Sequence, residues 1–264
     1  MADRDAGLDV SVPSIARAYD AVLGGKDNYE ADRAVARQLT ETFPGISELA
    51  QYNRDILARG VHYLAAHAGI TQFLDLGAGL PTMENTHQVA QRERPDARVV
   101  YVDIDPIVLA HGQAFLAENA HTKVITADLR DPGEVLANPE VRALVDFEQP
   151  VAIMLVGMLH HLHDNDDPGG IVRAYMDAVV PGSHLFITHF CDSDPEARAL
   201  EDTFLTFLGT GRFRSRAEIA EFFTGFDLVE PGLVYLPLWR PDDEEPLHLT
   251  PTERLMIGGI ARKT

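Results

Sequence analysis

The pattern of apolar and polar positions changes period near residue 70. Before it, apolar residues recur at helical spacing: Ile15, Tyr19, Val22 and Leu23 fall at i, i+4, i+7 and i+8, one face of a helix. Gly24-Gly25 ends that helix. Two longer helices are predicted at 30–42 and 46–67, split by Pro44-Gly45. Residues 1–11 lack any such period and read as disordered. From 71 onward, short apolar runs alternate with helical stretches. Strands are predicted near 72–76, 98–102, 123–126, 150–156 and 183–189, and helices near 82–93, 106–119, 168–180 and 195–208. Such alternation gives a parallel sheet with helices on both faces. Residues 151–156 are apolar without alternation, as a central strand covered on both sides requires. Farther on, 216–223 reads as helical, and 226–236 and 255–261 as extended. A hairpin of the last two would add an antiparallel strand to the sheet. Asp242-Asp243-Glu244-Glu245, between prolines, reads as a solvated loop. The chain is therefore expected to be one α/β structural domain, with a helical extension at 1–68 packed on a core at 69–264.

The bulk numbers narrow the function classes. A chain of 264 residues with 45% hydrophobic content can bury a sizeable core. Its net charge of −19 argues against nucleic acid as substrate, because phosphate contacts need a basic surface. The same charge disfavours an anionic membrane surface. The longest apolar run, 151–159, is far short of a membrane span. One cysteine, Cys191, excludes an intramolecular disulfide. With a charged N-terminus that is no signal peptide, these features lead us to expect a soluble cytoplasmic protein.

One stretch carries chemistry. Phe73-Leu74-Asp75-Leu76-Gly77-Ala78-Gly79 reads as a buried strand entering a glycine turn that opens a helix. Glycines let backbone approach a ligand closely, and a helix start offers unpaired N–H groups. A second acid, Asp103, ends the next predicted strand, placed to meet ribose hydroxyls at the switch point of an open α/β sheet. The dinucleotide fingerprint G-x-G-x-x-G is only partly matched, since Thr82 occupies the third glycine position. That weakens a reading as a nicotinamide oxidoreductase. Asp105, followed by Pro106, suits a helix cap.

Asp75, the glycine turn, Asp103 and Val124-Ile125-Thr126-Ala127-Asp128-Leu129 together resemble the class I S-adenosylmethionine-dependent methyltransferases. Pro13-Ser14-Ile15-Ala16-Arg17-Ala18-Tyr19-Asp20 with Leu23-Gly24-Gly25-Lys26-Asp27-Asn28-Tyr29 is similar to the N-terminal signature of an actinobacterial S-adenosyl methyltransferase group, formerly a domain of unknown function. The likeness runs through Val156-Gly157-Met158-Leu159-His160-His161-Leu162 to the C-terminal Gly258-Gly259-Ile260-Ala261-Arg262-Lys263. It implies a Rossmann-like fold with a mostly parallel seven-stranded sheet and an antiparallel last strand. It also implies S-adenosylmethionine as cofactor and S-adenosylhomocysteine as product.

The residues then take expected roles. Asp75 would meet the cofactor's ammonium, Gly77, Ala78 and Gly79 its methionine half, Asp103 with Ile104 its ribose end, and Asp128 with Leu129 its adenine. Gly157 follows strand four, where ligands meet the sheet. The helices of 1–68 would fold over the mouth, with Tyr19 or Tyr29 facing the sulfonium and Gly25 and Lys26 at the cofactor carboxylate. Asn53 and Arg54 are candidates for the same pocket. His160 and His161 are the candidate catalytic residues, one of them as general base. A metal site built from His160, His161, His163 and the acids after them is the less favoured reading, because adjacent histidines rarely converge on one ion. Leu80, Met83, Met158 and Leu159 near the mouth favour a small or partly apolar acceptor with an O, N or C nucleophile. The rival is a protein that binds S-adenosylmethionine without transferring its methyl group, as a sensor or interaction module.

Overall fold

A computed structural model of the chain describes residues 9–81, 84–115, 119–241 and 248–264. Three helices come first: α1 (Ile15–Val22), α2 (Glu30–Thr42) and α3 (Ile46–His62), the last running on as a π turn over Tyr63–His67. The sheet follows, with β1 (Gln72–Leu76), β2 (Arg98–Asp103), β3 (Thr122–Thr126), β4 (Ala152–Val156) and β5 (His184–Phe190). Between them run α4 (Thr86–Glu93), α5 (Pro106–Phe115), the short α6 (Pro132–Ala137) and α7 (Pro139–Leu144), and α8 (Pro168–Asp177). After β5 come α9 (Glu196–Leu208), α10 (Arg216–Glu221), β6 (Asp227–Leu228), β7 (Val234–Tyr235) and β8 (Met256–Arg262).

The strand order is β3-β2-β1-β4-β5-β8-β6, with the short β7 also on β8. β1 to β5 are parallel, and β8 runs antiparallel to β5. The order reverses between β1 and β4, so the C-terminal ends of these strands open onto the crevice where ligands of such sheets bind.

Alternation along each strand sorts the core into two layers. On β1, Phe73 joins a layer with Val99, Met154 and Phe186 that is closed by α2, α3 and α9. Leu74 and Leu76 face the other layer, with Val100, Ile153 and Ile187, closed by α7, α8 and α10. Residues of α3 such as Ile56, Leu57 and Val61 are buried in the first layer. The N-terminal helices thus share the sheet's own core.

Local departures from the sequence reading have physical causes. α4 starts at Thr86, where Asn85 and Gln88 form a reciprocal cap. The start expected at 82 lies outside the described residues, as do Met83, the acidic loop 242–245 and residues 1–8. The run 226–236 is not one strand: Pro231 offers no N–H and Gly232 takes φ +90°. The chain turns there, and β6 and β7 each pair separately with β8.

Candidate functional site

β1 leads into the turn Gly77-Ala78-Gly79. Gly77 and Gly79 take φ +79° and +66°, a region that side-chain-bearing residues avoid. A Cβ on Gly77 would lie 2.3 Å from the Met158 side chain, whereas one on Gly79 would meet nothing within 4 Å. A side chain at the first position would need Met158 to move, and open space lies above the second. The turn is tied to β2: Gly77 and Ala78 N–H donate to the Val102 carbonyl at 2.7 and 3.2 Å. Gly79 N–H donates to Asp103 Oδ2 at 2.8 Å, and Asp105 N–H to Asp103 Oδ1 at 2.9 Å.

Both acids beside the turn are buried. Burial pushes the Asp75 carboxyl up to about 6, partly offset by the Thr86 hydroxyl, which donates to it at 2.7 Å, and by the Arg54 charge. Burial also raises Asp103, against the pull of the Asp105 and Gly79 N–H groups. Asp105 caps α5 by accepting from Ile107 N–H at 2.9 Å.

A cavity of about 190 Å³ runs across the ends of β2, β1, β4 and β5. Asp75, Gly77 to Gly79, Asp103 and the exposed Ile104 line one end. Phe190, Phe204, Leu208 and Met256 line the other, with His160 and His161. Ser14 and Tyr19, at and on α1, contribute to the wall. Tyr19 Oη donates to the Ala50 carbonyl at 3.0 Å and accepts from Asn53 Nδ2 at 3.4 Å, while Asn53 Oδ1 accepts from Thr188 Oγ1 at 2.6 Å.

The histidines lie on a 3-10 turn, Leu159–His161, held from outside. The buried Arg214 guanidinium donates to the carbonyls of Leu159 and Leu162, both at 3.0 Å. Arg212 N–H donates to the His160 carbonyl at 2.8 Å. His161 Nδ1 is 3.0 Å from Thr210 Oγ1, and His160 Nδ1 is buried with no hydrogen-bond partner. Burial, with the His161, His189 and Arg214 charges, holds His160 well below its ordinary value. Burial pushes His161 down to about 3. Both rings are neutral at pH 7.

The cavity thus brings together Tyr19, Asp75, Gly77, Ala78, Gly79, Asp103, Ile104, Gly157, His160 and His161. Four residues expected at the cofactor lie outside its wall. The Asp128 carboxylate is forked by Arg130, at 2.9 Å from Nε and 2.5 Å from Nη2. Leu129 packs in the core, and its carbonyl accepts from Tyr175 Oη at 2.9 Å. Gly25 abuts the Asp20 carboxylate, which also accepts from Asp27 N–H and Asn28 Nδ2 at 3.0 and 2.8 Å. The 24–29 segment is a turn wrapped on Asp20, with Lys26 exposed. Tyr29 lies under the Arg17 guanidinium. Among the described residues, no group of three or more His, Cys, Asp or Glu side chains could hold a metal.

The comparisons with known proteins decide the family. The family model for S-adenosyl methyltransferases matches residues 1–264. The chain belongs to the S-adenosyl methyltransferase family. It is an S-adenosylmethionine-dependent methyltransferase. A candidate methyltransferase from Thermobifida fusca YX has 53% identity and a TM-score of 0.95, covering 100% of this chain and 99% of its own. A DUF574 family protein from Streptomyces avermitilis has 37% identity and a TM-score of 0.93, covering 97% and 99%. The O-methyltransferase NcsB1 of neocarzinostatin biosynthesis, in complex with S-adenosyl-L-homocysteine and 1,4-dihydroxy-2-naphthoic acid, shares the fold. It has 15% identity and a TM-score of 0.50 over 77% of this chain and 53% of its own. No curated protein matches the chain.

Proposed function

We propose that this methyltransferase moves a methyl group from S-adenosylmethionine to an O, N or C nucleophile of a small molecule held in the same cavity. The observation that carries this reading is the cavity's two unlike ends, one of acids and turn backbone, the other of apolar side chains. The acidic end fits the cofactor. Asp75 would take its ammonium, the Gly77–Gly79 backbone its methionine half, Asp103 its ribose hydroxyls and exposed Ile104 its adenine. Gly157 and Tyr19 would flank the sulfonium, where an aromatic face favours a cation. The helices of 1–68 would form the cover, while Gly25, Lys26, Asp128 and Leu129 stay outside the binding set.

The cofactor supplies a methyl carbon already activated by positive sulfur. The protein's task is mainly to align the nucleophile. As the new bond forms, the S–C bond breaks and its electron pair stays on sulfur. A hydrogen on the attacking O or N then becomes strongly acidic. Even an imidazole pushed down to about 3 takes it up, which fits His161 or His160 as the receiving group.

The net charge of −19 supports a small acceptor over nucleic acid. No helix among the described residues is long and apolar enough to cross a membrane, and we infer that the protein works in the cytoplasm. The test is calorimetric titration with S-adenosylmethionine and S-adenosylhomocysteine, with NAD as control. Micromolar binding, about −8 kcal/mol, is expected, at least tenfold weaker in Asp103→Ala. Absence of binding by either sulfur ligand would refute the reading.

A further inference from the structure

The two ends of the cavity differ in charge as well as polarity. Asp103 and Phe190 end strands three places apart in the sheet, roughly 14 Å at 4.8 Å per strand. The charged side chains in the wall, Arg54, Asp75, Asp103 and Asp105, come from α3, β1 and the end of β2. Around the end of β5 the wall is Phe190, Phe204, Leu208 and Met256, with Leu39 of α2. The polar side chains there are His160 and His161, and both rings are neutral.

An ionised acceptor at that end would lose its water and meet no charged side chain in the wall there, which disfavours it. An uncharged acceptor escapes that cost. The wall is also built of rings. His160 stands edge-on to Phe190 at 4.7 Å and 89°, and His161 stacks on Phe204 at 5.7 Å and 28°. Flat aromatic molecules pack against such edges and faces. The polar side chains of this wall, His160 and His161, are imidazoles whose tautomer sets whether a ring nitrogen donates or accepts. Buried polar atoms find partners. A hydroxyl is the group that serves either tautomer, since it both donates and accepts.

We infer that the acceptor is an uncharged aromatic alcohol, its ring in the apolar end around β5 and its hydroxyl at the His160–His161 turn. This rests on the reading of the cavity as a shared cofactor and acceptor site. In the transfer, the hydroxyl oxygen forms the C–O bond and the S–C bond breaks with its pair to sulfur. The hydroxyl proton passes to the imidazole it faces.

The test uses the full chain loaded with S-adenosylhomocysteine and three probes of one shape: 4-propylphenol, 4-propylbenzoate and 4-propylbenzylammonium. The phenol is expected to bind at least tenfold more tightly than either ion, and with S-adenosylmethionine it should yield its methyl ether. Leu208→Lys places a cation at this end and should invert the order in favour of the benzoate. Retained S-adenosylhomocysteine affinity in that variant reports an intact fold. If S-adenosylhomocysteine binds but an ionic probe equals or beats the phenol, or no probe binds, the acceptor class is wrong while the cofactor reading stands. If S-adenosylhomocysteine itself does not bind, the underlying reading fails first.

Discussion

Replacing Arg17 by methionine tests how α1 is held over the cavity. Arg17 is 3% exposed and joins three segments distant in sequence. Its Nε lies 3.2 Å from Asp105 Oδ2 and 2.9 Å from Ser14 Oγ. Its Nη1 lies 3.4 Å from Asp32 Oδ2 on α2, and Nη2 donates to the Val12 carbonyl at 2.9 Å. Methionine keeps much of the volume and removes the charge. Breaking a buried ion pair costs about 3–5 kcal/mol, because the remaining charge stays buried. Here neither carboxylate is abandoned. Asp32 still accepts from Ser14 and Tyr29 N–H at 3.0 and 2.8 Å, and Asp105 from Ser14 Oγ and Ile107 N–H at 2.6 and 2.9 Å. The low end, about 3 kcal/mol, is therefore expected. At 1.36 kcal/mol per decade this is about two powers of ten. α1 packs mainly on α2 and α3, so the loss should appear as local opening. Hydrogen exchange of the α1 amides is the assay. Their protection should fall about a hundredfold, while the β1 and β4 amides change little. Protection within threefold of wild type would refute the argument that this buried cluster holds α1 in place.

Ligand affinity and rate should respond to pH through different groups. Burial raises Asp75 from 3.8 to about 6, so the folded state holds a proton that the unfolded chain has released. That contribution to stability is present below pH 3.8 and is lost as pH rises through about 6. Burial depresses His161, His184 and His189 to about 3, 4 and 3, so their contribution runs the other way and is lost as pH falls from 6.5. The two effects oppose each other in a melting curve, and titration of S-adenosylmethionine reads Asp75 more cleanly. Binding should weaken below pH about 6, and Asp75→Asn should flatten the profile. An unchanged profile in that variant would sink Asp75 as the ammonium partner. With any acceptor that is turned over, kcat/KM should show no imidazole limb near pH 6.5, because His160 and His161 stay neutral there. A limb at that pH that disappears in His161→Asn would show that the ring titrates normally in the working site.

The site's legibility in the sequence follows from how local each part is. Gly77, Gly79 and Asp103 were readable because a strand, its turn and the next strand's end lie close along the chain. Order along the sheet then fixes what they face. The Gly24–Tyr29 segment, which lies off the cavity wall, reads two ways in the sequence. Glycines, an acid and an amide are what a phosphate or carboxylate cradle uses, and also what a turn around a buried carboxylate uses. Asp20 is that carboxylate, and its hydrophilic type on a helix gave no sign of burial. Asp128 lies off the cavity wall, with both its oxygens on Arg130 two residues on, a pairing that spacing alone does not announce. The apolar end was illegible for a different reason. Leu39, Phe190, Phe204, Leu208 and Met256 are ordinary core residues from α2, β5, α9 and β8, and only the packing of α2 on α9 assembles them. Arg214 was likewise silent: it lies some fifty positions after the turn whose two carbonyls it holds.

The sheet order explains why the roof and the floor of the cavity are one mechanical unit. Asp103 is bound by Gly79 N–H on the floor and by Asp105 N–H beside it. Asp105 is bound in turn by Ser14 and Arg17 at and on α1. A ligand that contacts Asp103 therefore acts on a chain of hydrogen bonds that ends in the helix above it. If α1 opens and closes, the closed state has the intact chain and should be the one that favours the cofactor. Linkage then makes the effect reciprocal: cofactor binding protects α1 by the factor by which α1 closure strengthens cofactor binding. Arg17→Met removes one of the two links at the roof end, leaving Ser14 on Asp105, and does not touch the Asp103–Gly79 contact. The variant should therefore keep the floor of the site and lose the part of the affinity that comes from closure. Asp103→Ala, cut at the floor, should weaken binding while leaving α1 docked on Asp32.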